Sequence, residues 1–181
     1  MPKLTTPSLL VLTLALGTLA GCSSTPTAPV LNISAPSAKT SMMSVKSLNL
    51  KDKRANKSLS VINGVESPSD PQLSNKLQKW LNDSITINQN GRLNLDFNLL
   101  SYGSFIDQQT MQFTAESMME WQVMITGENG YSWKKTYQTT INQEGPLKMG
   151  NDDIESHLNK MATKLLGITL NDGEFKGALS R

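Results

Sequence analysis

The chain has 181 residues, with seventeen Lys or Arg against fifteen Asp or Glu, one His and one Cys. That length corresponds to one folded domain plus tails, and a formal charge of +2 excludes the clustered basic excess of a nucleic-acid binder. A single Cys and a single His exclude an internal disulfide framework, a Cys-rich zinc site and a multi-histidine centre, so no metal or other cofactor is expected.

The N-terminus reads as an export signal. Lys3 supplies a short positive region, Ser8 to Leu16 is a brief apolar core, and the small residues Gly17, Thr18, Ala20 and Gly21 follow. The apolar stretch is too short to span a bilayer comfortably as a mature helix. It ends Leu19-Ala20-Gly21-Cys22, which resembles the lipobox of bacterial lipoproteins at all four positions. A thiol is the best nucleophile among ordinary side chains for taking up a diacylglyceryl group. The resemblance implies cleavage between Gly21 and Cys22, an S-diacylglycerol on Cys22 and N-acylation of the new terminus. Ser23 stands where Asp signals retention in the inner membrane, so the resemblance implies the outer membrane; no motif decides between the periplasmic and the outer side, and the periplasmic side is the expectation. Two acyl chains already anchor stably, and three make release negligible. Without residues 1–21 the chain keeps 16 basic against 15 acidic residues, so the lipid, not charge, holds it to the bilayer.

The expected organisation is a signal peptide over 1–21, a lipidated Cys and tether over 22–43, and one domain over 44–181. Of the 21 residues from Ser23 to Met43, 14 are Ser, Thr, Pro or Ala, and Pro26, Pro29 and Pro36 favour extended backbone. As a coil this tether would span about 25 Å. Val30-Leu31-Asn32-Ile33 is an apolar island in it. The favoured reading is an extended piece brushing the domain; the alternative is an edge strand or docking segment.

Ser44 to Leu50 reads as a strand, Lys51 to Asn56 as a charged loop and Ser58 to Ile62 as a second strand. Asn63-Gly64 and Ser67 to Asp70 mark turns. Asp70 and Pro71 open a helix whose stripe is Leu73, Leu77, Trp80 and Leu81, ending near Asp83. Asn88 to Gly91 form a turn. Arg92 to Ser101 alternates with Leu93, Leu95, Phe97 and Leu99 on one side. Thr110 to Thr126 puts Met111, Phe113, Ala115, Met119, Trp121, Val123 and Ile125 on one face. Tyr131 to Asn142 pairs back, with Tyr131, Trp133, Tyr137 and Ile141 on its odd face. Facing residues must share a side of the sheet, so the connecting loop is three residues, Glu128-Asn129-Gly130. This pairs Ile125 with Trp133 and Trp121 with Tyr137, with Gly130 left-handed after a type I turn. A second helix is expected from about Asp153 to Leu166, capped by Asn151 or by Asp152, which with Glu155 would make a capping box, and with Gly167 as its C-cap. From Asn171 a loose polar tail is expected. The fold class is α+β: a two-layer sandwich of one mainly antiparallel sheet with two amphipathic helices on one face.

With the lipobox, the tether and this element order, the chain resembles the YajG-type family of small bacterial lipoproteins. The residues that carry the likeness are Leu19-Ala20-Gly21-Cys22, Val45 to Leu50 leading into Asp52-Lys53-Arg54, the helix with Leu77 and Leu81, and the Trp121-to-Tyr137 hairpin. The resemblance implies anchoring and fold, and lends no catalytic residues.

Asp52 and Arg54 lie where a strand ends. They either pin a turn through a charge-assisted hydrogen bond, the favoured reading, or present an Arg to an anionic ligand. His157 is expected at the solvent edge of the second helix. Asp152, Asp153 and Glu155 are paired-acid candidates for wall hydrolysis, but negative charge at a helix N-terminus already suits the dipole. Trp121, Trp133 and Tyr137 read as core ahead of a sugar-stacking platform. Met118, Glu120, Gln122, Met124, Lys134, Thr136 and Gln138 form the opposite face, where methionines could supply apolar contact to a partner. The expected function is a non-enzymatic, lipid-anchored accessory module with an envelope protein partner. A glycan or small-ligand binder with a groove between sheet and helices is the alternative, and a wall hydrolase comes last.

Overall fold

The structure is a computed structural model that describes residues 27–34 and 36–180. The signal segment, the cleavage site at Gly21 and the lipidation site Cys22 lie outside the described residues. Eight strands and three helices follow in the order β1 (Thr40–Met42), β2 (Val45–Asp52), β3 (Ser60–Ile62), β4 (Val65–Glu66), α1 (Leu73–Ser84), β5 (Ile85–Ile87), β6 (Leu93–Gln108), β7 (Gln112–Thr126), β8 (Ser132–Pro146), α2 (Asn151–Asn171) and α3 (Gly173–Leu179). The main sheet has six strands in the order β4-β3-β6-β7-β8, with β2 also pairing to β6. β2 and β3 run parallel to β6, whereas β6–β7, β7–β8 and β3–β4 are antiparallel. The helices cover one face, giving the two-layer α+β sandwich. β1 and β5 form a separate parallel pair beside it.

Alternation of apolar residues decides which face is covered. Leu95, Phe97, Leu99, Trp121, Val123 and Ile125 have no exposed surface, and α1 meets this core with Leu73, Leu77, Trp80 and Leu81. Each such side chain contributes about 1.5–3 kcal/mol by burial. The β7–β8 register is as the loop rule requires: Ile125 faces Trp133 and Trp121 faces Tyr137. The turn itself differs. Asn129 and Gly130 are both left-handed, at φ 56° and 76°, and Tyr131 N–H donates to the Glu128 carbonyl. That is a type I′ turn, whose twist matches the flanking strands better than type I.

Several expectations are corrected. β6 does not stop at Ser101 but runs to Gln108 through a register shift between Leu99 and Ser101. The shift inserts Leu100, so buried positions change from odd (Leu93 to Leu99) to even (Tyr102, Ser104, Ile106). Met111 precedes β7 and is 71% exposed, so it does not join the apolar face. Gly167 does not cap α2. The helix continues to Asn171 because Thr169 is buried beyond that glycine. Its N-cap is Gly150, whose N–H donates to Asp153 at 3.3 Å, in place of an Asp152/Glu155 box. The tail is ordered as α3, capped by Asp172, with Phe175 and Ala178 buried. The apolar island docks rather than brushes. Leu31 is 6% exposed, Val30 N–H donates to Glu155 on α2 at 2.7 Å, and Trp80 Nε1 on α1 donates to the Ser34 carbonyl at 3.3 Å.

Candidate functional site

Helices cover only one face of the sheet, so the other is defined by what its strands present. β7 crosses its centre with Met118, Glu120, Gln122 and Met124 half-buried. Register places Met124 between Asp96 and Lys134, Gln122 between Asn98 and Thr136, and Met118 between Gly103 and Thr140. Asn98 Nδ2 approaches Met124 Sδ at 3.3 Å, and Gln138 Nε2 approaches Met118 Sδ at 3.3 Å. The thioethers are therefore held in place by neighbouring amides on a surface that no element covers among the described residues.

At the β3 end this face dips into an open recess of about 690 Å³ lined by Val61, Phe105, Asp107, Glu116 and Glu144, among others. Phe105 is 49% exposed there. It belongs to the part of β6 beyond the bulge, which is why the sequence reading missed it. The missed signal is the apolar parity that resumes at Tyr102 and Ile106, with the small Ser104 between them.

The two long edges of the sheet differ. On β2, Gln78 of α1 accepts the Leu50 N–H at 2.6 Å and donates to the Leu48 carbonyl at 3.1 Å, standing in for a further strand. β8 has no such cover. Its odd residues bond to β7, as Leu147 N–H to the Met111 carbonyl shows, so its even residues point N–H and C=O outward. Among the described residues nothing takes them up.

Asp52 and Arg54 meet where β2 leaves β6. Arg54 is 4% exposed and grips Asp52 with Nε to Oδ1 at 3.1 Å and Nη2 to Oδ2 at 3.0 Å. Its Nη1 donates to the Tyr102 carbonyl at 3.1 Å. β2 ends at Leu99 of β6 and β3 begins at Ser104, so the guanidinium occupies the gap between two strands that share one edge. Burial acts to raise the Asp52 carboxyl, but hydrogen bonds from Arg54 and Lys57 outweigh it and its pKa is lowered.

His157 does not stand at the solvent edge: it is 6% exposed because the start of α2 packs flat on the sheet. Its Nδ1 lies 3.4 Å from Ser117 Oγ, which is 2.7 Å from Ser104 Oγ. Burial and the Lys160 charge lower its pKa. Ser117 has no exposed surface, so this Ser–His contact is sealed from any substrate. Two of the three acids are already engaged: Asp153 accepts from Gly150 and Glu155 from Val30, while Asp152 is exposed at the start of α2. Trp121 is fully buried, stacks edge-on against Phe97 at 4.9 Å and donates to Thr169 at 3.0 Å. Tyr137 is buried and donates to Asp172, and Trp133 packs on Phe175. These rings form no open platform. Among the described residues no group of three His, Cys, Asp or Glu could hold a metal, and no helix is long and apolar enough to cross a membrane.

No curated protein matches the sequence. Protein XCC0632 from Xanthomonas campestris, of known crystal structure, is 14% identical over 83% of this chain and 97% of its own, with a TM-score of 0.47. A Helicobacter pylori protein named as a neuraminyllactose-binding hemagglutinin homolog is 8% identical over 83% and 95%, with a TM-score of 0.41. Residues 31–180 match a lipoprotein family whose description gives neither the YajG-type name nor an activity. The match runs from the docked Leu31 to the end of α3, and the chain belongs to this family, described as uncharacterized lipoprotein.

Proposed function

We propose that this chain is a non-enzymatic accessory lipoprotein, held to the outer membrane through acylated Cys22 and facing the periplasm, that binds another envelope protein. The observation that supports it is the bare sheet face, where Met118, Met124 and Phe105 are accessible among short polar side chains. Methionines adapt to varied apolar partners, and the surrounding amides and hydroxyls supply hydrogen bonds. The anchor keeps this face close to the bilayer, which raises the effective concentration of any membrane-bound partner.

Two measurements test the reading. A photo-reactive amino acid at Gln122 of the full chain in cells should give a discrete adduct, while one at Thr163 on exposed α2 should not. Adducts only from Thr163, or from neither position, overturn the partner reading. Cys22→Ser should move the chain out of the outer-membrane fraction, and unchanged fractionation overturns the anchoring.

A further inference from the structure

We infer that β8 is the pairing edge for a second copy of this chain, joined antiparallel about a two-fold axis at Thr139. The pairing needs neither the lipid nor an envelope partner, so it stands apart from the reading above.

An uncovered edge strand is a template for another strand, and native proteins blunt such edges with Lys, Pro, bulges or a covering element. Here one edge is covered by Gln78 of α1. β8 is not. It keeps an unbroken register with β7 over Ser132–Pro146, and its nine residues from Thr136 to Glu144 contain no Lys, Pro or Gly.

The sequence of β8 is self-complementary in one register. With Thr139 opposite itself, Lys134 of each copy faces Glu144 of the other, so the pair forms twice. Trp133 meets Gly145, over which the Phe113 ring of the same chain already lies, so two aromatic rings come close there. Tyr137 meets Ile141, an aromatic against a β-branched residue, a favoured cross-strand pair. Shifting the register by one pair either way separates Lys134 from Glu144. The even residues, which carry the free N–H and C=O groups, face even residues in this arrangement, as an antiparallel ladder requires.

The position of α2 leaves room for it. α2 packs over β7 and β8. Strands lie about 4.8 Å apart, so two copies of α2 would run about 10 Å apart, an ordinary helix-packing distance. A recess of about 390 Å³ beside Tyr131, Trp133 and Gly177 lies at the end of the edge where the other copy's Gly145 arrives.

The first measurement uses the exposed positions Lys134 and Glu144, so folding is not at risk. Full chains carrying Lys134→Cys and Glu144→Cys, with different tags, are expressed together and separately in an oxidising envelope. Co-expression should give a disulfide-linked heterodimer. Each variant alone should not, because two copies of residue 134 would lie about 33 Å apart. No heterodimer, or equal linkage from either variant alone, overturns the pairing, as does linkage of β8 cysteines to a different protein. A second measurement uses Thr139→Cys, which meets its own copy. Lys134→Glu should lower the linked fraction about threefold by setting like charges opposite, and adding Glu144→Lys should restore it. A fraction indifferent to these changes overturns the register.

Discussion

Glu155 on α2 accepts the backbone N–H of Val30 at 2.7 Å, fastening the segment that follows the expected anchor to the helical layer. Leu31 fills a core position next to that bond, and Ser34 closes the segment against Trp80. Removing the charge acceptor with Glu155→Gln should cost about 1 kcal/mol, and Leu31→Ala about 2–3 kcal/mol through its cavity. Denaturant midpoints measure both. Limited proteolysis should also cut near residues 28–34 faster in both variants. If cleavage there stays as slow as in the parent, the segment is not held by these two contacts.

Arg54 carries the junction between β2 and β3. Its charge is 4% exposed and relies on Asp52, and the Tyr102 carbonyl relies on Arg54. Asp52→Asn leaves a buried guanidinium short of its counter-charge, with an expected loss of about 3–5 kcal/mol. Arg54→Lys keeps the charge but loses the fork that spans both partners, and should lose about 1–3 kcal/mol. Lys57→Ala removes only an exposed contact to the same carboxylate and should change stability by under about 1 kcal/mol. Equal losses for Asp52→Asn and Lys57→Ala would show that burial of the pair does not set its worth.

Much of this architecture is written locally in the chain. The odd-numbered apolar residues of β7 and the Asn129-Gly130 pair fix the long hairpin and its register, because only one loop length keeps Ile125 and Trp133 on one face. Local pattern fails where tertiary packing overrules it. Gly167 reads as a stop, yet Thr169 finds burial beyond it and the helix continues. Leu100 breaks the parity of β6, so alternation alone ends the strand at Ser101, short of Phe105. β1 and β5 are three residues each and exist only as a pair formed across 45 positions of sequence. The bare sheet face was legible from alternation, as Met118, Gln122 and Met124 show. The open edge at β8 was not, because strand order is a long-range property.

Gln78 gives a sharp test of edge protection. Its amide both accepts from Leu50 and donates to Leu48, so Gln78→Ala strips two backbone groups of β2 of their partners. The expected cost is about 1–2 kcal/mol. Because β2 is then an uncovered strand, the variant should also aggregate faster on mild heating, seen as light scattering below the unfolding midpoint. Gln78→Glu can still accept from Leu50 but cannot donate to Leu48, so its loss should fall between those of the parent and the Ala variant. A Gln78→Ala chain that is as stable and as soluble as the parent would remove the case for this amide as a strand surrogate.

Stability should fall in two separate steps as the solution is acidified. His157 is held neutral by burial, and the Lys160 charge adds to that, while Asp153 opposes it weakly. In the unfolded chain the imidazole takes its proton near the ordinary 6.5, but in the fold it does so only at lower pH. The unfolded state then binds more protons, so this contribution is complete above 6.5 and drains away as pH falls toward the folded value. Asp172 gives the second step. Hydrogen bonds from Lys135 and then Tyr137 hold its carboxyl down to about 2, against an ordinary 3.8, so its contribution survives the first step and is lost as pH falls from 3.8 through about 2. Thermal midpoints in a buffer series should resolve both steps. His157→Gln should abolish the upper one and leave the lower, whereas Asp172→Asn should leave the upper and shrink the lower, to which Asp52, Asp70 and Asp83 with their lowered carboxyls also contribute. An upper step that persists in His157→Gln assigns it to another group, and with it the claim that the start of α2 seals this imidazole against the serines of β6 and β7 fails.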